Sequence, residues 1–219
     1  MAVDKPAGAG TAHAPAQPGK WRLGGALWLL GMPGVVAVVW ALLPTLKVNE
    51  ALLPLPLEAV LLLSGLQTAV LLALAVALGV WLAPRVGLRA PAVSSWVAGQ
   101  PAGPALRAQL VPGLCGGVVG AAWLWLLSRL APAALQPSDP ANAMPLAVKL
   151  LYGGITEELL MRWGVMTLLL WLGWRLLRRG HGQPRNGLVA TAVLFSAVLF
   201  AVGHLPAAQA MAGVLTMPV

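Results

Sequence analysis

The chain has 219 residues, of which 59% are hydrophobic and only 9% charged, against about 25% charged residues in a soluble domain, which argues against a water-soluble globule. The net charge of +8 would suit nucleic acid, but the basic residues lie between apolar segments and form no stripe with interleaved aromatics, so no nucleic-acid partner is expected. The partner the composition calls for is a lipid bilayer: no charge occurs between Arg22 and Lys47, between Glu58 and Arg85, or between Arg107 and Arg129, and about 20 apolar residues suffice to cross.

In chain order, residues 1–20 are rich in Ala, Pro and Gly and read as a disordered tail. The apolar stretch after Arg22 is too long for a signal-peptide core and is expected to remain as the first span. Spans are predicted at 23–45, 58–83, 109–130, about 147–174 and about 187–204, with residues 207–219 beginning a sixth segment that stops early. No ten-residue alternating strands appear, so the expected class is all-α, a polytopic bundle of about five spans. Residues 21–144 then form the N-terminal helices and loops, and residues 145–219 a separate C-terminal unit.

Pro84, Pro91, Pro101 and Pro104, with Gly87, Gly99 and Gly103, make the segment after the second span a loop or a shallow interfacial piece. In the third span, Gly113, Gly116, Gly117 and Gly120 fall at helical spacing that lets another helix approach closely, as in simple bundle packing. Cys115 is the single cysteine, so no internal disulfide can form, and it reads as a buried small hydrophobe. Trp21, Trp81, Trp96, Trp171 and Trp174 sit near the ends of apolar runs, where indole favours the membrane interface.

Loop charge orients the chain. Lys5, Lys20 and Arg22, then Arg85, Arg89 and Arg107, then Arg175, Arg178, Arg179 and Arg185 occupy alternate connections. The positive-inside rule places those connections, and the N-terminus, in the cytoplasm. The intervening connections, with Lys47, Glu50 and Glu58, then Arg129, Asp139 and Lys149, are nearly neutral.

The fourth span breaks the apolar rule with Glu157, Glu158 and Arg162. Ionisable groups at membrane depth are costly and are functional candidates by default. Glu158 and Arg162, four apart with the acid first, suit an ion pair, which leaves Glu157 as the unpaired carboxylate. The bland alternative has Thr156 capping a helix whose dipole the two glutamates complement. A second polar residue, His204, stands in the fifth span one turn after Phe200, which can pack on the imidazole. Glu157 lies 18 residues before Arg175 and His204 lies 18 after Asn186. An antiparallel pair of helices leaving the same basic loop therefore brings the two to one depth, roughly 27 Å from that loop.

A carboxylate beside an imidazole can deprotonate a water. The set Glu157, Glu158 and His204 can instead hold a divalent metal such as zinc, which would acidify a bound water; a metal-free glutamate mechanism stands equally open. No HExxH pattern exists.

The motifs Glu157-Glu158-x-x-x-Arg162 and Phe200-x-x-x-His204, in order on consecutive spans over roughly residues 145–206, resemble the type II CAAX prenyl endopeptidases and their bacterial relatives, the CPBP or Abi intramembrane proteases. The resemblance implies an intramembrane endopeptidase in a bacterial inner membrane, acting on a peptide or lipidated protein. It implies that Glu157 and His204 activate the hydrolytic water while Glu158 and Arg162 position the site. The family also carries a later HxxxN or HxxxD helix thought to stabilise the oxyanion. No such motif occurs before Val219, so the resemblance implies that residues 145–219 are an incomplete CAAX-protease-like catalytic core, and a fragment or a degenerate relative is expected. Two other readings stay open: a non-catalytic scaffold or immunity-type membrane protein, and a transporter component relaying charge through Glu157, Glu158 and Arg162.

Overall fold

The computed structural model describes residues 18–130, 144–177 and 179–211, with side chains up to residue 205 and excluding residue 178. Residues 1–17 of the expected tail and most of the 130–145 connection lie outside the described residues. Within them the chain is all helix, a membrane protein in which Lys20–Val48, Leu57–Val86, Gly103–Leu130 and Asn186–Leu205 are each long and apolar enough to cross a bilayer.

α1 (Lys20–Val48) holds Pro33 and Pro44 in its interior, as apolar helices tolerate when neighbours re-satisfy the freed backbone groups. It ends where the Asn49 side chain donates to the Thr45 carbonyl at 2.8 Å, satisfying one terminal acceptor. α2 (Leu57–Leu82) begins with Glu58 in its first turn, complementing the helix dipole. It tightens into a 3-10 turn over Ala83–Val86 and stops at Gly87, whose φ of 78° is the left-handed conformation that closes helices. The proline-rich connection folds as a short helix, α3 (Pro91–Val97), opened by its proline, and the Arg22 side chain ties α1 to the Val97 carbonyl at 3.2 Å.

α4 (Gly103–Leu130) corrects two expectations. It touches the rest of the described chain chiefly through α3, and none of its residues is buried. Nothing lies near the Cβ positions of Gly113, Gly116, Gly117 or Gly120 among the described residues, and Cys115 is exposed. Small residues permit close approach without compelling it, because lipid supplies no hydrophobic drive toward a neighbouring helix.

The close approaches lie elsewhere. α5 is one continuous right-handed helix over 146–177, α-helical at Leu146–Val148, π-helical at Lys149–Thr156 and Leu159–Met166, and α-helical again at Thr167–Leu177. It lies along α1 and α2. A Cβ at Gly34 of α1 would meet the Thr156 hydroxyl and the Leu151 carbonyl; one at Gly79 of α2 would meet the Trp163 indole; one at Gly164 would meet Ala75. These glycines let three backbones come together around a core of Leu27, Val35, Leu72, Val76 and Val80, against which Leu159, Leu160 and Trp163 pack.

α6 (Asn186–Met211) runs past Pro206 without a break, so the described residues after 206 continue the fifth span and start no sixth. A proline near a helix end removes one backbone bond and bends the helix more readily than it stops it. A second core of Val86, Leu170 and Ala192 joins α6 to α5 and to the end of α2.

Candidate active site on the α5 and α6 hairpin

α5 and α6 leave their connecting loop in antiparallel register. A Cβ at Gly173 would meet Leu188, and sixteen residues further along each helix Glu157 meets His204. That is the juxtaposition expected from their equal distances to the basic loop.

Thr156 does not cap a helix, as the bland reading had it. The helix runs straight through it, Glu157 and Glu158 have right-handed helical dihedrals, and Thr156 is completely buried. Its hydroxyl donates to the Gly31 carbonyl of α1 at 2.7 Å, with the Leu151 carbonyl five residues back at 3.3 Å. The Glu157 amide likewise bonds the Tyr152 carbonyl, the i to i−5 pattern of a π-turn. Wide turns of this kind are rare and concentrate at functional sites. Here they flank the two glutamates on both sides, in a segment pinned to α1 through Thr156.

The two carboxylates have different company. Glu158 accepts from Arg162 Nε at 2.5 Å one turn later, the ion pair expected from their spacing. Glu157 is the more enclosed, its side chain 19% exposed against 45% for Glu158, and its Oε1 lies 3.6 Å from His204 Nε2. His204 Nδ1 lies 2.8 Å from the Phe200 carbonyl oxygen. A carbonyl oxygen can only accept, so Nδ1 carries a proton and donates it, and Nε2 is the nitrogen turned toward the carboxylate. The Phe200 ring packs on the imidazole at a centroid separation of 4.3 Å, so a backbone acceptor and an aromatic face together fix the ring.

A separation of 3.6 Å is too long for a direct hydrogen bond and suits two groups that share one water, each at ordinary hydrogen-bonding distance. A cavity of about 210 Å³ opens beside Glu157, lined by Glu157, Glu158, Met161 and Arg162 from α5 and by Ser196 and Phe200 from α6, while His204 stands outside its lining, one turn beyond Phe200. Sequence reasoning missed Met161 and Ser196 as cavity walls. Both repeat the helical spacing of the charged residues, which was the available signal. It also missed Gly153, where a Cβ would sit 3.6 Å from Glu157 Oε2 and narrow the approach to that carboxylate.

A metal fits this arrangement poorly. A catalytic zinc site takes three protein ligands and an open position. Glu158 is held by Arg162, and among the described residues no three His, Cys, Asp or Glu side chains gather as a ligand set.

No curated protein and no solved structure matches the chain. Residues 139–219 match the family model of the type II CAAX prenyl endopeptidase, Rce1-like proteins. The matched segment holds Glu157, Glu158, Arg162 and His204 and is similar to that family of CAAX proteases over this C-terminal part of the chain.

Proposed function

We propose that the chain is an intramembrane endopeptidase in which Glu157 and His204 activate a water against a peptide bond of a membrane-associated substrate, of which a prenylated CAAX-type protein is one form. The observation that carries the reading is the Glu157 and His204 pair: a partly enclosed carboxylate 3.6 Å from an imidazole nitrogen whose ring is fixed by Phe200. In the reaction Glu157 takes a proton from water, His204 Nε2 orients that water by accepting its second hydrogen, and the oxygen attacks the carbonyl carbon. The C–N bond breaks as the proton held by Glu157 passes to the leaving nitrogen.

Attack places negative charge on the former carbonyl oxygen, and donors aimed at that charge are commonly the largest catalytic contribution. Arg162 uses Nε on Glu158 and lines the same cavity, so its terminal N–H groups are the donors we assign to the oxyanion. Glu158 would position Arg162, and Phe200 would position His204.

The orientation that follows from loop charge sets the basic end, with Arg85, Arg175 and Arg179, in the cytoplasm. The site then lies roughly 27 Å along the helices from that end, toward the extracytoplasmic side of a hydrocarbon core about 30 Å thick, which favours a membrane-embedded peptide over a prenylated end presented from the cytoplasm. The test is cleavage of a membrane-embedded peptide by protein in liposomes. Glu157→Gln keeps the shape of the side chain and removes the base, so turnover should fall by about 100- to 10,000-fold while the melting temperature stays within a few degrees. Undiminished cleavage by Glu157→Gln would refute the assignment.

A further inference from the structure

At the basic end of the bundle, away from the glutamates, the 3-10 turn after α2 packs against the last turns of α5 through Val86 and Leu170. This brings Arg85 to Arg175 and Arg179, ninety residues later in the chain. The three arginines, with Trp171, Trp174 and Gly180, line a pocket of about 300 Å³. We propose that this pocket binds the phosphate of an anionic membrane lipid headgroup.

Three like charges converging on one concavity repel one another unless an anion sits among them. The chain does not supply that anion among its described residues. It has six acidic residues in all: Glu50 and Glu58 belong to the far end of α1 and α2, Glu157 and Glu158 to the candidate active site, and Asp4 and Asp139 fall outside the described residues. Complementing a helix terminus accounts for Arg175, whose Nη1 donates to the Arg179 carbonyl at 3.3 Å, but it does not account for Arg85 arriving from another helix.

The loop is also built to hold its shape. Arg179 has a φ of 50°, a left-handed conformation that side chains other than glycine rarely adopt. It is held there by the Trp174 indole donating to the Gly182 carbonyl at 2.9 Å and by the Gly180 amide donating to the Trp174 carbonyl at 3.3 Å. Strained backbone of this kind persists where the surroundings over-determine it, and it concentrates at ligand sites. Two indoles in the wall suit the region just below lipid headgroups. Basic pockets between helices at the cytoplasmic face recognise anionic headgroups. Guanidinium groups match phosphate in two-pronged geometry.

The full chain, purified in a zwitterionic detergent, would be titrated with short-chain phosphatidylglycerol, short-chain phosphatidylcholine and inorganic phosphate, with occupancy read by native mass spectrometry. Saturable binding of phosphatidylglycerol, absence of phosphatidylcholine and no competition from equimolar phosphate are expected. Arg85→Gln with Arg175→Gln should weaken that binding about fivefold for each arginine removed, roughly 25-fold together, while Arg107→Gln, on α4, leaves it unchanged. Arg179→Gly separates binding from folding. It relieves the left-handed residue, so the protein should melt at or above the parent temperature yet bind the lipid less tightly. Parent-like affinity in the double variant or in Arg179→Gly, or an equal loss with Arg107→Gln, would overturn the site. Displacement of the lipid by equimolar phosphate would make the ligand a soluble phosphate and overturn the lipid assignment.

Discussion

Gly34→Ala tests the contact that holds α5 in place. The added Cβ would lie 2.7 Å from the Leu151 carbonyl carbon and closer still to the Leu151 oxygen and the Thr156 hydroxyl. Carbon atoms pack best at about 3.5 to 4.0 Å, so α1 and α5 must part by roughly 1 Å. Overpacking of a tight contact costs about 1 to 3 kcal/mol. Parting the helices also stretches the bond from the Thr156 hydroxyl to the Gly31 carbonyl, a loss of about 1 kcal/mol when the Leu151 carbonyl can still accept. Alanine returns about 1 kcal/mol through its better helix propensity, so the net destabilisation should be about 2 kcal/mol. Gly25, on the same helix with nothing within 4 Å of its Cβ position, is the control: Gly25→Ala should be neutral or stabilising by up to about 1 kcal/mol. Thermal unfolding in one detergent would place Gly34→Ala several degrees below the parent and Gly25→Ala at or above it. Adding Thr156→Ala to Gly34→Ala should recover only part of the loss, because the Leu151 carbonyl still blocks the methyl. Equal melting of the two glycine variants would refute the close α1 to α5 seam.

Three further expectations follow from the site and from loop charge. Glu158→Gln strands Arg162 within a span, where an unpaired arginine costs about 2.5 to 3.5 kcal/mol; the yield of folded protein should fall well below that of Glu157→Gln, and equal yields would show that the ion pair does not support the fold. His204→Asn keeps an N–H near the Phe200 carbonyl but removes the nitrogen beside Glu157, so stability should change by no more than about 1 kcal/mol while cleavage drops about 100-fold or more; cleavage at the parent rate would sink the role of Nε2. For orientation, in a Cys115→Ala background a cysteine at position 178 should be shielded from an impermeant thiol reagent added outside, and one at position 138 should react; the reverse pattern would invert the topology.

Much of this protein is legible in its sequence because the bilayer imposes a one-dimensional rule. A charge-free run of some twenty residues must become a helix, since no water remains to satisfy the backbone, and all five expected spans fold as helices, although the third begins six residues before its expected start and the fifth runs seven residues past its expected end. Even the meeting of Glu157 and His204 was readable, because two helices leaving one short loop are antiparallel and equal residue counts give equal depth. The pairing of Glu158 with Arg162 was readable from a spacing of four.

What the sequence does not express is which face of a helix meets a partner. Gly113, Gly116, Gly117 and Gly120 look like a packing seam and face nothing among the described residues, while Gly34, Gly79 and Gly164, scattered over three helices, make the close contacts. Thr156 reads as a helix cap beside two acids and proves to be a buried strut to α1. The π-turns around the glutamates leave no local signature in the sequence. These features depend on how three backbones fit together in space, and van der Waals contact between residues a hundred positions apart is decided only when the helices have packed.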